Sequence, residues 1–260
     1  YPPAKPPALP WRWLRRLSYP WADLHLVQTR LTGDWLRRHC GANRQLLMPN
    51  PVIHPLPDRD PVLLPDELLP HDAPVLLAAG TKAHQKGFDL LMPVFSVLAR
   101  RWPRLHLVLL GLSDQLYHGR NQQQWLRDRL GEHPEFSQRL LLPGPVGNMG
   151  AWYARATVFV LPSRYEGFPN VLLEAMAAGC ACVARDCRTG PSDLIRDGDN
   201  GVLIPSEAGT DAWVSALDRL LADPQRRRSL GQAATTVQDR FGETRLRRDF
   251  LDALDRLHHG

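Results

Sequence analysis

The sequence predicts an α/β fold built on a doubly wound, mainly parallel sheet, and three observations carry that prediction. From Val75 onward, short apolar runs rich in β-branched residues alternate with segments of helical periodicity. That alternation is the pattern of a parallel sheet with helices on both faces. Gly and Pro fall at the boundaries between the segments, where chain reversals need them. One stretch, from Thr157 to Gly179, reads as a complete strand–loop–helix unit. Its strand Thr157–Leu161 ends at Pro162, Gly167 and Pro169 mark the turn, and Val171, Leu172, Ala175, Met176 and Ala178 recur at helical spacing. Asn170 sits where an N-cap belongs and Gly179 where a C-cap belongs.

In chain order, Pro, Trp and Arg dominate residues 1–22. Trp11-Arg12-Trp13-Leu14-Arg15-Arg16-Leu17 has two open readings: a basic amphipathic helix lying on a membrane, or, as the preferred one, a helix of a mostly absent domain. Asp23–Gln28 is strand-like, and Thr32 or Asp34 can cap a short helix through Arg38. Prolines recur from Pro49 to Pro74, so that stretch reads as an interdomain linker without regular structure. Strands are expected at Val75–Ala79, Leu105–Leu110, Leu140–Leu142, Cys180–Ala184 and Val202–Ile204 as well as at the central unit. Helices are expected at Gly87–Trp102 with Pro93 in the first turns, Gln122–Leu130, Met149–Arg155, Pro191–Ile195, Asp211–Leu221, Gln225–Arg240 and Glu243–Leu257. Ligands of such sheets bind beyond the carboxyl ends of the strands. The loops there are 80–86, 111–115, 143–148, 163–170 and 186–191.

Composition narrows the function classes. The 260 residues suffice for one large domain with part of another, and no apolar run is long enough to span a membrane. The net charge of +5 and the arginine clusters at 12/15/16, 226–228 and 245/247/248 suit an anionic partner. No nucleic-acid motif accompanies them. Cys180-Ala181-Cys182 lacks zinc-site spacing, so buried thiols in a reducing compartment are expected. Gly144, Gly147 and Gly150 do not have dinucleotide-fingerprint spacing. The D-x-D pairs Asp58/Asp60 and Asp197/Asp199 fall in the linker and in a turn, so no catalytic metal is expected.

The central unit places two carboxylates differently: Glu166 in the loop, and Glu174 about one turn inside the helix. On spacing alone this is an ordinary β–α turn with two solvated glutamates. The residues Ser163-Arg164-Tyr165-Glu166-Gly167-Phe168-Pro169-Asn170-Val171-Leu172-Leu173-Glu174-Ala175-Met176-Ala177-Ala178-Gly179 say more. They resemble the glutamate-x7-glutamate motif of the retaining, nucleotide-sugar-dependent glycosyltransferases of family four (glycosyltransferase group 1). Asp193–Pro205 and the passage Met48-Pro49-Asn50-Pro51-Val52 resemble further segments of that family.

The resemblance implies a Rossmann-like GT-B C-terminal half. Residues 1–48 would be a remnant of the N-terminal acceptor domain, 49–74 the linker, 75–242 the nucleotide-sugar-binding domain, and 243–260 a helix returning to the N-terminal domain. It implies that Glu174 holds the ribose hydroxyls. Glu166, the catalytic candidate, and the amides of Gly167, Phe168 and Asn170 would hold the donor sugar, with Pro169 shaping the turn. Lys86, the amides near Val171 and Leu172, and the helix dipole would stabilise the departing diphosphate. Gly80, Gly144 and the segment Gly111–Asp114 would line the nucleotide pocket. The family has Arg where this chain has Thr81, and Lys82 is the candidate to supply that charge. Implied partners are a nucleoside-diphosphate sugar, UDP-hexose or UDP-N-acetylhexosamine, and a glycan or lipid-linked acceptor, with no metal cofactor. A missing N-terminal domain or partner chain would complete the acceptor side, in the cytoplasm with a possible inner-membrane contact. Two further readings are a non-catalytic donor-binding subunit and a sugar-nucleotide epimerase of similar fold.

Overall fold

The computed structural model describes residues 8–113, 116–117, 119–131 and 134–258, which leaves Asp114 and His259 outside the described residues. The first segment holds helix α1 (Leu9–Ser18), strand β1 (His25–Val27), helix α2 (Arg30–Cys40) and strand β2 (Gln45–Leu47). Strands β1 and β2 pair in parallel. Helix α2 starts earlier than expected. Thr29 is its N-cap, because the Thr29 side chain accepts from the Thr32 amide at 3.2 Å, and the helix runs on to Gly41 at φ 67°.

The main sheet consists of β3 (Val75–Ala79), β4 (His106–Leu110), β7 (Leu140–Gly144), β8 (Val158–Leu161), β9 (Cys182–Asp186) and β10 (Val202–Pro205). The short antiparallel pair β5 (Leu116–Tyr117) and β6 (Arg120–Asn121) lies outside it. The spatial order is β10-β9-β8-β3-β4-β7, and every pairing is parallel. Chain order therefore runs outward from β3 through β4 to β7. It then returns to the other side of β3 at β8 and runs outward again. The reversal point lies between β3 and β8, where loops leave in opposite directions and open a crevice.

All five residues of β3 are buried. Leu76 and Ala78 face a core closed by α3 (Leu91–Arg101), α4 (Gln122–Leu130) and α8 (Thr210–Ala222). Val75, Leu77 and Ala79 face a second core with α5 (Met149–Arg155), α6 (Asn170–Ala177) and α10 (Val237–Phe241). Period-two alternation on a strand buried on both sides produces the continuous apolar run seen in the sequence.

Several boundaries differ from expectation. Strand β9 starts two residues late because α6 closes in a Schellman motif. Gly179 adopts φ 78°, its amide bonds Met176 O, and the Cys180 amide bonds Ala175 O, both at 3.0 Å. Cys180 is thereby used to end the helix. The helix expected over 225–240 is two, α9 (Pro224–Ala234) and α10, with the break at Thr235 and Thr236. Both hydroxyls bond carbonyls three residues back, which competes with continuing the helix. After the short α7 (Pro191–Leu194), strand β10 and these helices, α11 (Glu243–His258) completes the chain order. The four cysteines are free and buried.

The Pro-rich stretch 49–74 has one 3-10 turn, at Pro65–Glu67, and does not hang free. Asn148 brackets the Leu63 backbone through both its amide atoms, at 3.1 and 2.9 Å. Trp152 Nε1 also donates to Leu63 O, and Val52 N to Phe241 O.

Candidate functional site

The crevice beside β3 is built by two loops. After β3, Gly80 lets the Lys86 stem cross close above the backbone: a Cβ there would lie 2.6 Å from Lys86 Cγ. Gly87 reverses the chain at φ 67°, and a Cβ there would lie 2.1 Å from Pro162 O, so no other residue fits. After β8 the chain passes through Ser163 and Arg164 to Glu166. The two loops meet: Lys86 Nζ donates to Glu166 Oε1 at 2.7 Å, and Ser163 Oγ donates to the same oxygen at 2.6 Å. Glu166 is 4% exposed, so it is a buried carboxylate neutralised by a lysine rather than a solvated loop residue. Thr189, from the loop after β9, donates to Glu166 O and anchors the backbone.

The loop then enters α6. Pro169, not Asn170, is the N-cap residue. The Asn170 side chain instead accepts from Asn50 Nδ2 at 2.8 Å, while its amide donates to Phe168 O. The amides of Leu172 and Leu173 both donate to Pro169 O, and the Leu172 side chain is fully buried. Leu172 therefore has neither a side chain nor an amide to offer a ligand, and Asn170 has no amide to offer. Phe168 is likewise turned inward, packing on Phe241 with ring centroids 5.9 Å apart. Gly167 differs: a Cβ there would meet nothing within 4 Å, so its backbone faces open space. The Val171 side chain packs partly buried against the second core.

Glu174 lies about one turn into α6, in a different setting. The buried Tyr153 hydroxyl donates to Glu174 Oε2 at 2.9 Å and also approaches Val171 O at 3.2 Å. Glu174 opens on a cleft of about 320 Å³, lined by Arg59, Val146, Gly147 and Met149 among others. Desolvation raises its carboxyl above the usual carboxylate range, while the Tyr153 hydrogen bond and the Arg59 charge oppose that shift. Tyr153 is pushed well above the ordinary phenol value, first by burial and then by the Glu174 charge.

Gly80, Gly111 and Gly144 stand side by side at three neighbouring strand ends. Gly80 N bonds Leu110 O, and Gly111 N bonds Gly144 O. Lys82 is exposed and gives its carbonyl to the Lys86 amide. The structure thus brings together Gly80, Lys86 and Glu166, with Glu174 opening on the cleft. Sequence reading missed Ser163, Tyr153, Thr189 and Arg59. Ser163 was already visible three residues before Glu166, but Tyr153 and Arg59 come from distant segments, and the D-x-D around Arg59 gave no sign of a part for the arginine. Among the described residues, no three His, Cys, Asp or Glu side chains converge as metal ligands.

The family described as Glycosyl transferases group 1 matches residues 73–223, more than half the chain. The chain belongs to that family. This glycosyltransferase-family chain is 31% identical over 234 residues to a D-inositol 3-phosphate glycosyltransferase of Streptomyces bingchenggensis, covering 85% of the chain and 50% of the relative. It is 31% identical over 233 residues to an exopolysaccharide phosphotransferase of Streptomyces coelicolor, covering 86% of the chain and 22% of that relative. The chain therefore spans at most half the length of these two curated relatives. Its fold matches that of an Anabaena protein, HepE, solved in complex with UDP and glucose. The TM-score is 0.75 at 16% identity, covering 94% of this chain and 66% of that one. The fold is that of GT-B glycosyltransferases.

Proposed function

We propose that this family member binds a nucleoside-diphosphate sugar, UDP-hexose or UDP-N-acetylhexosamine, and supports sugar transfer with retention of configuration to a glycan or lipid-linked acceptor. The observation that carries the reading is the meeting of Lys86 and Glu166 at the sheet's reversal point, with Glu174 in the helix that follows, α6. Glu174, held through one oxygen by Tyr153, binds the ribose hydroxyls at the edge of the cleft. Lys86 and the N-terminal dipole of α6 stabilise the charge that develops on the departing diphosphate. That work needs no divalent ion. Glu166 faces the donor sugar and orients it, with no covalent role assigned.

The acceptor wall in this reading belongs to a second α/β body, of which residues 9–48 form an edge. A peripheral contact of α1 with the inner membrane face also fits. Trp11, Trp13, Leu14 and Leu17 are exposed on α1, and its polar side carries Arg12, Arg15 and Arg16. Among the described residues no helix is long and apolar enough to cross a membrane.

Calorimetric titration with UDP, GDP, ADP and CMP, each with and without EDTA, tests the reading. Binding of one of them, preferentially UDP, with unchanged affinity in EDTA is expected. Failure to bind any, or a strict need for a divalent cation, would contradict it.

A further inference from the structure

The loop that carries Lys86 has no regular structure, yet it is gripped from both flanks. On one flank Arg164 makes a two-pronged pair with Asp89, Nη1 to Oδ1 at 2.7 Å and Nη2 to Oδ2 at 2.8 Å. The same guanidinium donates to His84 O at 2.7 Å, and the Arg164 amide donates to Gln85 O at 2.9 Å. The Asp89 side chain is 7% exposed. On the other flank Gln122, the first residue of α4, is buried. Its Oε1 accepts from the Ala83 amide at 2.8 Å, and its Nε2 donates to Thr81 O at 3.2 Å. Backbone groups of residues 81, 83, 84 and 85 are thus all held by residues outside the loop.

A lysine on a free loop loses conformational freedom when it grips an anion, and a loop already fixed spares that loss. An arginine fork fixes direction as well as charge, which a lysine or amide at the same place does not. Arg164 also sits two residues before Glu166. One side chain therefore ties the segment carrying Glu166 to the segment carrying Lys86.

We propose that Arg164, Asp89 and Gln122 are positioning residues that fix the 81–87 loop so that Lys86 meets the donor diphosphate in register with Glu166. This rests on the reading of Lys86 as the diphosphate's cation.

The test is a double-mutant cycle read by UDP titration, below the melting temperature of every variant. Lys86→Met should weaken UDP about tenfold or more, the worth of a charge-assisted contact. Arg164→Gln should come within about threefold of that loss, yet add less than about threefold when combined with Lys86→Met, because both act through the same contact. Arg164→Lys should fall between wild type and Arg164→Gln. Two results overturn the proposal: Arg164→Gln binding UDP as wild type does, or the two losses multiplying in the double variant. The second would mark a packing effect independent of Lys86. If Arg164→Gln does not fold, Gln122→Ala carries the same cycle. If Lys86→Met binds UDP as wild type does, the reading of Lys86 fails and this inference falls with it. If Lys86→Met is weakened and Arg164→Gln is not, only this inference fails.

Discussion

Glu166 and Glu174 stand eight residues apart in one strand–loop–helix unit, yet the fold treats them as different chemical groups. Glu166 is buried, and one of its oxygens receives both Lys86 and Ser163. Glu174 is half-buried, accepts from a neutral Tyr153 hydroxyl, and opens on a cleft that Arg59 also lines. The difference comes from the chain reversal at β3. The loop immediately beyond β8 meets the loop beyond β3 at Lys86, and it is Glu166 that it brings to the lysine. A helix residue farther along meets whatever packs on the helix, here α5 through Tyr153.

The largest expected effect follows from removing the cation. Lys86→Met leaves Glu166 as a buried, uncompensated carboxylate, which costs about 3–5 kcal/mol of stability. Urea denaturation measures this. A loss under about 1 kcal/mol would place the pair among exposed ion pairs and undo the contrast.

Glu174 titrates differently. Its folded-state carboxyl lies above the ordinary 4.5, so between those values the folded chain binds more protons than the unfolded one. Stability then falls as pH rises through that window. Glu174→Gln, which keeps an oxygen for Tyr153, should melt higher than wild type at neutral pH, and the gap should close below the ordinary carboxylate value. A melting temperature that drops at neutral pH would mean that the charged form is stabilised in the fold. A smaller effect separates the tyrosine from the glutamate. Tyr153→Phe should weaken nucleotide binding by about tenfold or less, because it removes a bond that orients Glu174 and no contact with the nucleotide itself. A loss as large as that of Glu174→Gln would give Tyr153 a direct role.

Much of this was legible in the chain. The strand runs at β3, β7 and β10 and the helices α4 and α5 follow directly from periodicity, because their burial is one- or two-sided and regular. The spacing of the two glutamates alone read as an ordinary β–α turn, and the residues around them carried the resemblance. What stayed hidden depends on the third dimension. Burial of Glu166 requires knowing that β3 and β8 are neighbours, although 80 residues separate Lys86 from Glu166. The inward turn of Phe168 requires Phe241. Leu172 was expected to offer its backbone, but the Pro169 carbonyl takes its amide. The cap of α6 shifted because Asn50 claims the Asn170 side chain.

The central claim is that the two carboxylates divide the work, Glu174 on the nucleotide and Glu166 on the sugar. Parallel UDP titrations of Glu174→Gln and Glu166→Gln test it most directly. Glu174→Gln should lose about ten- to a hundredfold in affinity, because ribose contacts form with free nucleotide as they do with donor. Glu166→Gln should stay within about threefold of wild type, a difference below about 1 kcal/mol. Loss of UDP binding in Glu166→Gln with retention in Glu174→Gln would contradict the account.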